Sequence, residues 1–150
     1  MGEKPKKLIG ELLIEDGVLT RDNLLEALDH QKKNGGLIGQ ILISHGYITE
    51  ENLVAALGRQ LDIPYLPLQN YNINPENAAL LDEEFCRRNF LTLFDADDRN
   101  AYVAMSDPLN QTALRELESC LRRRVHVFIS TSTEIVNILD TLYSTQRKKH

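Results

Sequence analysis

The sequence predicts an α+β protein in which a helical N-terminal subdomain precedes a small subdomain of mixed structure. Two observations carry this prediction: a helical-hairpin motif occurs twice within the first 60 residues, and strand-like apolar runs alternate with helical stretches after residue 70. The later runs suffice for a three- or four-stranded sheet. We therefore expect a tandem-repeat subdomain at residues 1–61, a connector at 62–70, an α+β subdomain at 71–144 and a polar tail at 145–150.

The two copies of the motif align without a gap. Residues 8–31 read LIGELLIEDGVLTRDNLLEALDHQ, and residues 37–60 read LIGQILISHGYITEENLVAALGRQ. Twelve of the 24 aligned positions are identical, and the offset between the copies is 29 residues throughout. This self-similarity indicates duplication of one structural unit.

Each copy has the sequence signature of a helical hairpin. A short apolar run with helical spacing ends at Gly17 or Gly46, where a C-terminal cap favours positive φ. Thr20 or Thr49 then serves as the N-cap of a second helix. A single hairpin of this size cannot bury its own apolar face, so we expect the two copies, joined at residues 34–36, to pack together.

Two residue types recur at positions that a plain hairpin does not explain. Gly10 and Gly39 lie inside the apolar run of each first helix, where glycine costs about 1 kcal/mol relative to alanine. Spacing alone leaves two explanations open: close helix packing, or backbone N–H groups near a helix start that remain available to a ligand. Gln31 and Gln60 end both motifs, and their recurrence favours a polar role.

The second half reads as a succession of short elements. Pro64 and Pro67 exclude a helix and predict an extended connector. The elements expected after it are a helix at 74–81, a helical turn at 82–88, strands at 90–94 and 101–105 joined by a polar turn, a helix at 111–122, a strand at 125–129 and a helix at 132–143.

The composition argues against several classes of function. The net charge of −5 disfavours a broad surface for DNA or RNA, and no apolar stretch approaches the roughly 20 residues that span a bilayer. Two isolated cysteines, Cys86 and Cys120, are typical of a reduced cytoplasmic protein. The sequence also lacks a Walker A loop, a nucleophile signature and a metal-ligand spacing. We therefore expect a cytoplasmic protein that is not an enzyme, does not insert into a membrane and holds no metal or cofactor.

Three segments together resemble a known family. They are the tandem motif with its five-residue spacer, the stretch QLDIPYL at residues 60–66 and the stretch VAMSDPLN at residues 103–110. With these, the chain resembles the N-terminal domain of the assembly ATPases of type II secretion and type IV pili, the GspE/PilB N-terminal family. It is similar in particular to the MshEN domain, a receptor for the bacterial second messenger cyclic di-GMP. The resemblance covers residues 7–144.

The resemblance implies that each motif wraps one half of the twofold ligand. By position, it places these residues around cyclic di-GMP: Ile9, Gly10, Leu24, Leu28 and Gln31 from the first motif, Ile38, Gly39, Leu53, Leu57 and Gln60 from the second, and Asp107 from the later segment. Aliphatic side chains would contact the guanine faces, backbone N–H groups would meet phosphate oxygens, and glutamines would read polar base edges.

The chain departs from the family pattern at the first position of each motif, where the family has arginine and this sequence has Leu8 and Leu37. An arginine there would supply charge and a plane that stacks on guanine. Lys6 and Lys7 precede the first motif, whereas the glycines at 35–36 precede the second. The ATPase domains of the family are also missing from the sequence, so we expect a standalone module that acts on a partner in trans.

Two main functions remain open at this point. The first is a sensor whose binding of cyclic di-GMP controls a protein partner of a secretion, pilus or motility machine. The second is a ligand-free protein–protein adaptor of a type II secretion or type IV pilus system. The retained motif positions favour the sensor, while Leu8 and Leu37 favour the adaptor. A structural repeat protein unrelated to secretion is a third reading.

Overall fold

The structure, a computed structural model, describes residues 8–69 and 71–148. It confirms the α+β class: within these residues the chain forms seven α-helices, one 3₁₀ helix and one three-stranded sheet. The chain divides into two compact units, one up to Asp62 and the other from Ile63 onward. Lys6, Lys7 and the last two residues of the expected tail lie outside the described residues.

The first unit consists of the two predicted helical hairpins. Its helices are α1 (Ile9–Glu15), α2 (Arg21–Asn34), α3 (Ile38–Ser44) and α4 (Glu50–Leu61).

The turns inside the two hairpins follow the sequence prediction. Gly17 and Gly46 adopt φ of 77° and 75°, directly after the helix C-caps. The hydroxyl oxygens of Thr20 and Thr49 accept hydrogen bonds from the backbone N–H groups of Asn23 and Asn52, at 3.2 and 3.0 Å. The capping chemistry therefore sets both helix boundaries in each repeat.

The two hairpins complete each other's core crosswise. Helix α1 packs against α4, and α2 packs against α3. Leu13, Leu42 and Leu57 are fully buried in this unit. Because each first helix packs on the second helix of the other copy, neither repeat is complete alone.

The crosswise packing also brings together two pairs of side chains that the 29-residue offset relates. In one pair Arg59 forms a salt bridge with Asp16, and its hydrogen bond lowers the pKa of the Asp16 carboxyl. In the equivalent pair the rings of His30 and His45 meet edge to face, with centroids 5.0 Å apart. The same structural position thus holds opposite charges in one half and two imidazoles in the other.

The second unit contains the remaining helices and the sheet. Its elements are a 3₁₀ helix (Pro75–Leu80), α5 (Glu83–Arg88), β1 (Leu91–Ala96), β2 (Asn100–Met105), α6 (Gln111–Leu121), β3 (Arg124–Ile129) and α7 (Ser132–Lys148). The helix expected at 74–81 is thus a 3₁₀ helix, which begins with a bond from the N–H of Asn77 to the carbonyl of Asn74 at 2.9 Å. Helix α7 extends beyond the expected end at residue 143.

The sheet has the order β1-β2-β3. Strands β1 and β2 form the predicted antiparallel hairpin, with a register shift between Leu93 and Asp95, and β3 pairs parallel to β2. The expected connector contributes one further pairing, because Tyr65 forms an isolated parallel bridge with Ile129.

A single apolar cluster fills the second unit. Leu91, Val103 and Leu117 are fully buried in it, and so is the thiol-bearing Cys86. Burial raises the pKa of the Cys86 thiol to about 12, although the hydroxyl of Tyr143 lies 3.9 Å from its sulfur. Within the described part of the chain, every helix is too short or too polar to cross a bilayer.

Candidate ligand-binding site

Gly10 and Gly39 lie where two helices of one hairpin touch. A Cβ atom built on Gly10 would come within 2.6 Å of Leu24 Cδ1, and one on Gly39 within 2.9 Å of Leu53 Cδ2. Both glycines are buried. The structure therefore accounts for their recurrence by close packing, one of the two explanations that spacing left open.

Several other candidate residues also belong to the core. Ile9, Leu24 and Leu53 are buried, and Leu57 has no exposed surface. Leu28 occupies the position in the first motif that Leu57 occupies in the second, yet it is 41% exposed. The two motifs, alike in sequence, therefore present different surfaces.

The glutamines that end the motifs also differ. Gln31 donates a hydrogen bond from Nε2 to the carbonyl oxygen of Gly36 at 2.9 Å, so it fixes the linker between the repeats. Gly35 and Gly36 in this linker adopt φ of 76° and 103°. Gln60 is half-buried, and its Oε1 atom is shielded from solvent.

The starts of α1 and α3 are chemically distinct from those of α2 and α4. Leu8 and Leu37 occupy the N-cap positions of α1 and α3, and neither provides a side-chain cap. The first-turn N–H groups of both helices therefore lack the hydroxyl acceptor that a threonine supplies in α2 and α4. Leu8 is 70% exposed, while Leu37 and Ile38 are half-buried.

Asp107, the remaining candidate, lies in the second unit, in the turn between β2 and α6. Its Oδ1 accepts a hydrogen bond from the backbone N–H of Leu109 at 3.0 Å. Burial raises the pKa of the Asp107 carboxyl, and the bond from Leu109 acts in the opposite direction.

The structure thus sorts the candidates by accessibility. Four candidates have solvent-accessible surface to different degrees: Leu28, Gln31, Ile38 and Gln60. The other leucine candidates and both glycines are buried. Asp107 belongs to a separate compact unit. That these candidates form one ligand site is therefore still an expectation, and it rests on the resemblance to the MshEN family.

Sequence reasoning missed one polar cluster in the first unit. The rings of His45 and Tyr47 lie 5.5 Å apart, next to the contact between His30 and His45, and the Tyr47 hydroxyl donates to the Glu26 carboxylate. The 29-residue offset was the available signal, because it places His30 and His45 at the positions of Arg59 and Asp16. No three metal-binding side chains gather among residues 8–69 and 71–148.

The architecture described above matches two solved structures over almost their whole length. The N-terminal domain of XpsE superposes with a TM-score of 0.79, at 17% identity, over 93% of this chain and 97% of that one. The structure of MshE with cyclic di-GMP (cdg) superposes with a TM-score of 0.70, at 30% identity, over 91% of this chain and 99% of that one. The likeness to XpsE concerns the fold, while the likeness to MshE extends to the sequence.

The chain belongs to the MshEN domain family, whose sequence model matches residues 61–149. The type IV pilus assembly ATPase PilB of Myxococcus xanthus (strain DK1622) is 25% identical over 136 residues, which is 91% of this chain. The chain spans 24% of the length of PilB. The family match begins at the end of the second motif, so the tandem motif is connected to relatives by the alignments with MshE and PilB.

Proposed function

We propose that this chain is a non-enzymatic regulatory module that binds cyclic di-GMP through its two motifs and thereby controls a protein partner of a secretion, pilus or motility machine. The observation that carries this proposal is the likeness to MshE with cyclic di-GMP, which combines 30% identity with near-complete coverage of both chains. Membership of the MshEN family supports the same conclusion.

The geometry of the first unit is compatible with a twofold ligand. Because the two copies pack crosswise, α1 and α3 are equivalent helices, and no side chain caps the first turn of either. Half-buried or exposed aliphatic side chains at Leu28 and Ile38 offer apolar contact to guanine rings, and Gln31 and Gln60 offer polar groups. Gly10 and Gly39 contribute by allowing the helices of each hairpin to approach.

Restoring the family's arginines tests the motif assignment. Leu8→Arg should raise the affinity for cyclic di-GMP at least tenfold, because one hydrogen bond to a charged group contributes about 1.5–3 kcal/mol. The double variant Leu8→Arg/Leu37→Arg should bind still more tightly and show a steeper salt dependence. Isothermal titration of the whole chain at low and moderate salt measures both effects.

The matched control is Leu25→Arg, which adds the same charge at a leucine that is 57% exposed on α2 and outside the proposed site. Equal gains in Leu8→Arg and Leu25→Arg would reveal unspecific attraction of an anion and would contradict the motif assignment.

Leu28→Glu should weaken the binding of cyclic di-GMP at least tenfold. The variant should keep the circular dichroism spectrum of the wild type, because the Leu28 side chain contributes little to the core.

The adaptor remains the second candidate function, and one observation favours it. Leu8, Leu25 and Leu28 expose unusually large fractions of apolar side chain in the first repeat, which is the kind of surface that protein partners cover. The sensor hypothesis would be refuted if folded wild-type protein gave neither a heat of binding nor a shift in melting temperature with cyclic di-GMP up to about a millimolar. The same leucines would then be the first substitutions to make in pull-downs with candidate partners.

A further inference from the structure

We propose that the free edge of β3 binds a short, extended, acidic segment of a partner protein by adding it to the sheet. The proposed surface, called the β3 edge surface below, consists of residues 124–128 together with Arg99 and Arg122. It lies in the second unit, whereas the two repeated motifs lie in the first.

The backbone of β3 is paired on one side. Strand β2 covers one edge, and in a parallel pair alternate residues point their N–H and C=O groups away from the neighbouring strand. Arg124 donates its N–H to the carbonyl of Arg99 at 2.8 Å, so Arg124 faces β2, and Val125 and Val127 face outward. Among the described residues, no backbone group forms a hydrogen bond with the outward N–H and C=O groups of Val125 and Val127.

The chain itself already uses the far end of this edge in the proposed manner. Ile129 donates its N–H to the carbonyl of Pro64 at 3.0 Å and accepts the N–H of Leu66 at 2.8 Å. This single bridge stops at Ile129. The edge is therefore competent for strand pairing, and the two outward residues before Ile129 remain available to another backbone.

The charges at the end of the sheet where β3 begins specify an acidic occupant. Arg99, Arg122 and Arg124 are exposed, and their side chains make no hydrogen bond or ion pair with any residue between 8 and 148 that the structure describes. Three exposed arginines without such a bond stand out in a chain whose net charge is −5. A carboxylate is the natural partner for a guanidinium because the two can form paired hydrogen bonds.

Two hydrogen bonds join the loops that carry these arginines. The Nε of Arg123 donates to the carbonyl of Asp97 at 2.8 Å, and the bond from Arg124 to Arg99 joins the same two loops. Asp97 is engaged in its own turn, where its Oδ1 accepts the N–H groups of Arg99 and Asn100. Asp97 and Asp98 are the two exposed acids of this turn, and four arginines at positions 99, 122, 123 and 124 outnumber them, so the two loops together carry a net positive charge.

The side chains of β3 indicate which residue types the bound segment would carry besides its acidic residues. All of residues 125–128 are half-buried, which leaves apolar surface at Val125, Val127 and Phe128. The His126 ring stacks on Tyr102 at a centroid distance of 4.9 Å and contacts Asn100 Oδ1 at 2.8 Å. An acidic residue near Arg124 followed by β-branched residues therefore fits, and open backbone donors and acceptors favour a peptide over a nucleic acid.

Three capped peptides test this proposal against the whole chain. They are acetyl-Glu-Thr-Val-Thr-Glu-amide, the same peptide with lysines for the glutamates, and the acidic peptide with an N-methylated central valine. We expect saturable amide shifts in two-dimensional NMR that centre on Val125 and Val127, with slower hydrogen exchange there. The lysine and N-methyl peptides should bind at least fivefold more weakly.

A charge reversal supplies the second arm of the test. Arg124→Glu should weaken the acidic peptide at least fivefold, whereas Arg88→Glu, at an exposed arginine of α5, should leave its affinity unchanged. Absence of shifts on β3 at 5 mM acidic peptide would overturn the proposal. Equal binding of the lysine or N-methyl peptide, or tighter binding of a single-stranded RNA hexamer at the same amides, would overturn it as well.

Discussion

The two repeated glycines show that the requirement for glycine at a position is explained by the atoms packed against it. The duplication marks Gly10 and Gly39 as constrained, and the atoms of Leu24 and Leu53 identify packing as a sufficient cause. The approach at Gly10 is the tighter one, because the Cγ atom of Leu24 also lies within 3.3 Å of the added carbon. At both glycines the two closest atoms are the terminal methyl groups of a leucine, at 2.6 and 2.8 Å for Gly10 and at 2.9 and 3.2 Å for Gly39.

Alanine substitution should therefore affect the two repeats unequally. We expect Gly10→Ala to lower the free energy of unfolding by up to about 2 kcal/mol, because overpacking costs about 1–3 kcal/mol and the helix gains about 1 kcal/mol from alanine. Gly39→Ala should cost less than about 1 kcal/mol, since the leucine methyl groups there are farther from the added carbon and need to move less. Urea denaturation followed at 222 nm measures both values. Stabilisation by Gly10→Ala would contradict the packing explanation.

The boundary between what the sequence predicts and what it leaves open is visible at these residues. A repeated identity reveals that a position is constrained, and it does not reveal which atoms constrain it. Leu28 and Leu57 make the same point from the other side, because identical residues at equivalent positions end up 41% exposed and fully buried. Burial depends on tertiary neighbours that one repeat cannot specify.

At the scale of elements, capping residues predict helix boundaries better than helix type. The threonine caps, the glycine ends and the hairpin of β1 and β2 all follow the sequence prediction. The stretch at 75–80 forms a 3₁₀ helix, and α7 continues to Lys148. Caps act locally and are therefore readable, whereas the choice between hydrogen-bond patterns and the persistence of a last helix depend on packing.

The two threonine caps differ in completeness. Thr49 shares a reciprocal capping box with Asn52, whose Oδ1 accepts the Thr49 N–H at 2.9 Å, while Thr20 accepts one bond from the Asn23 N–H. Thr49→Ala should therefore lower the free energy of unfolding by about 1–2 kcal/mol and Thr20→Ala by about 0.5–1 kcal/mol.

The box is isolated by comparing the two asparagines in the same unfolding assay. Asn52→Ala should be clearly destabilising, and Asn23→Ala should cost a few tenths of a kcal/mol. An equal loss at both asparagines would rule out the box as the source of the difference.

At the scale of the molecule, two compact units share one chain. The α+β class and the order of its elements were readable from hydrophobic periodicity and turn residues. The parallel addition of β3 to the hairpin and the bridge at Tyr65 were not, because strand order depends on contacts between distant segments.

The cysteines provide a probe of the second unit as a whole. Cys120 is exposed, whereas Cys86 is buried in the core with its pKa raised to about 12. Iodoacetamide at pH 8 should therefore modify Cys120 within minutes and Cys86 only through opening of the core, at least a hundredfold more slowly. Mass spectrometry of intact protein distinguishes one label from two, and Cys120→Ser provides the control. Rapid double labelling in native buffer would contradict the packing of α5 and α7.

The two equivalent contacts of the first unit join its helices by different chemistry. Where Arg59 meets Asp16, the pKa of the carboxyl is lowered, so the ion pair persists in mildly acidic solution. Where His30 meets His45, two rings pack edge to face at the same position. A duplication that began with two interchangeable halves has thus kept one contact position and changed its chemistry, so that an ion pair joins α1 to α4 while a contact between two rings joins α2 to α3.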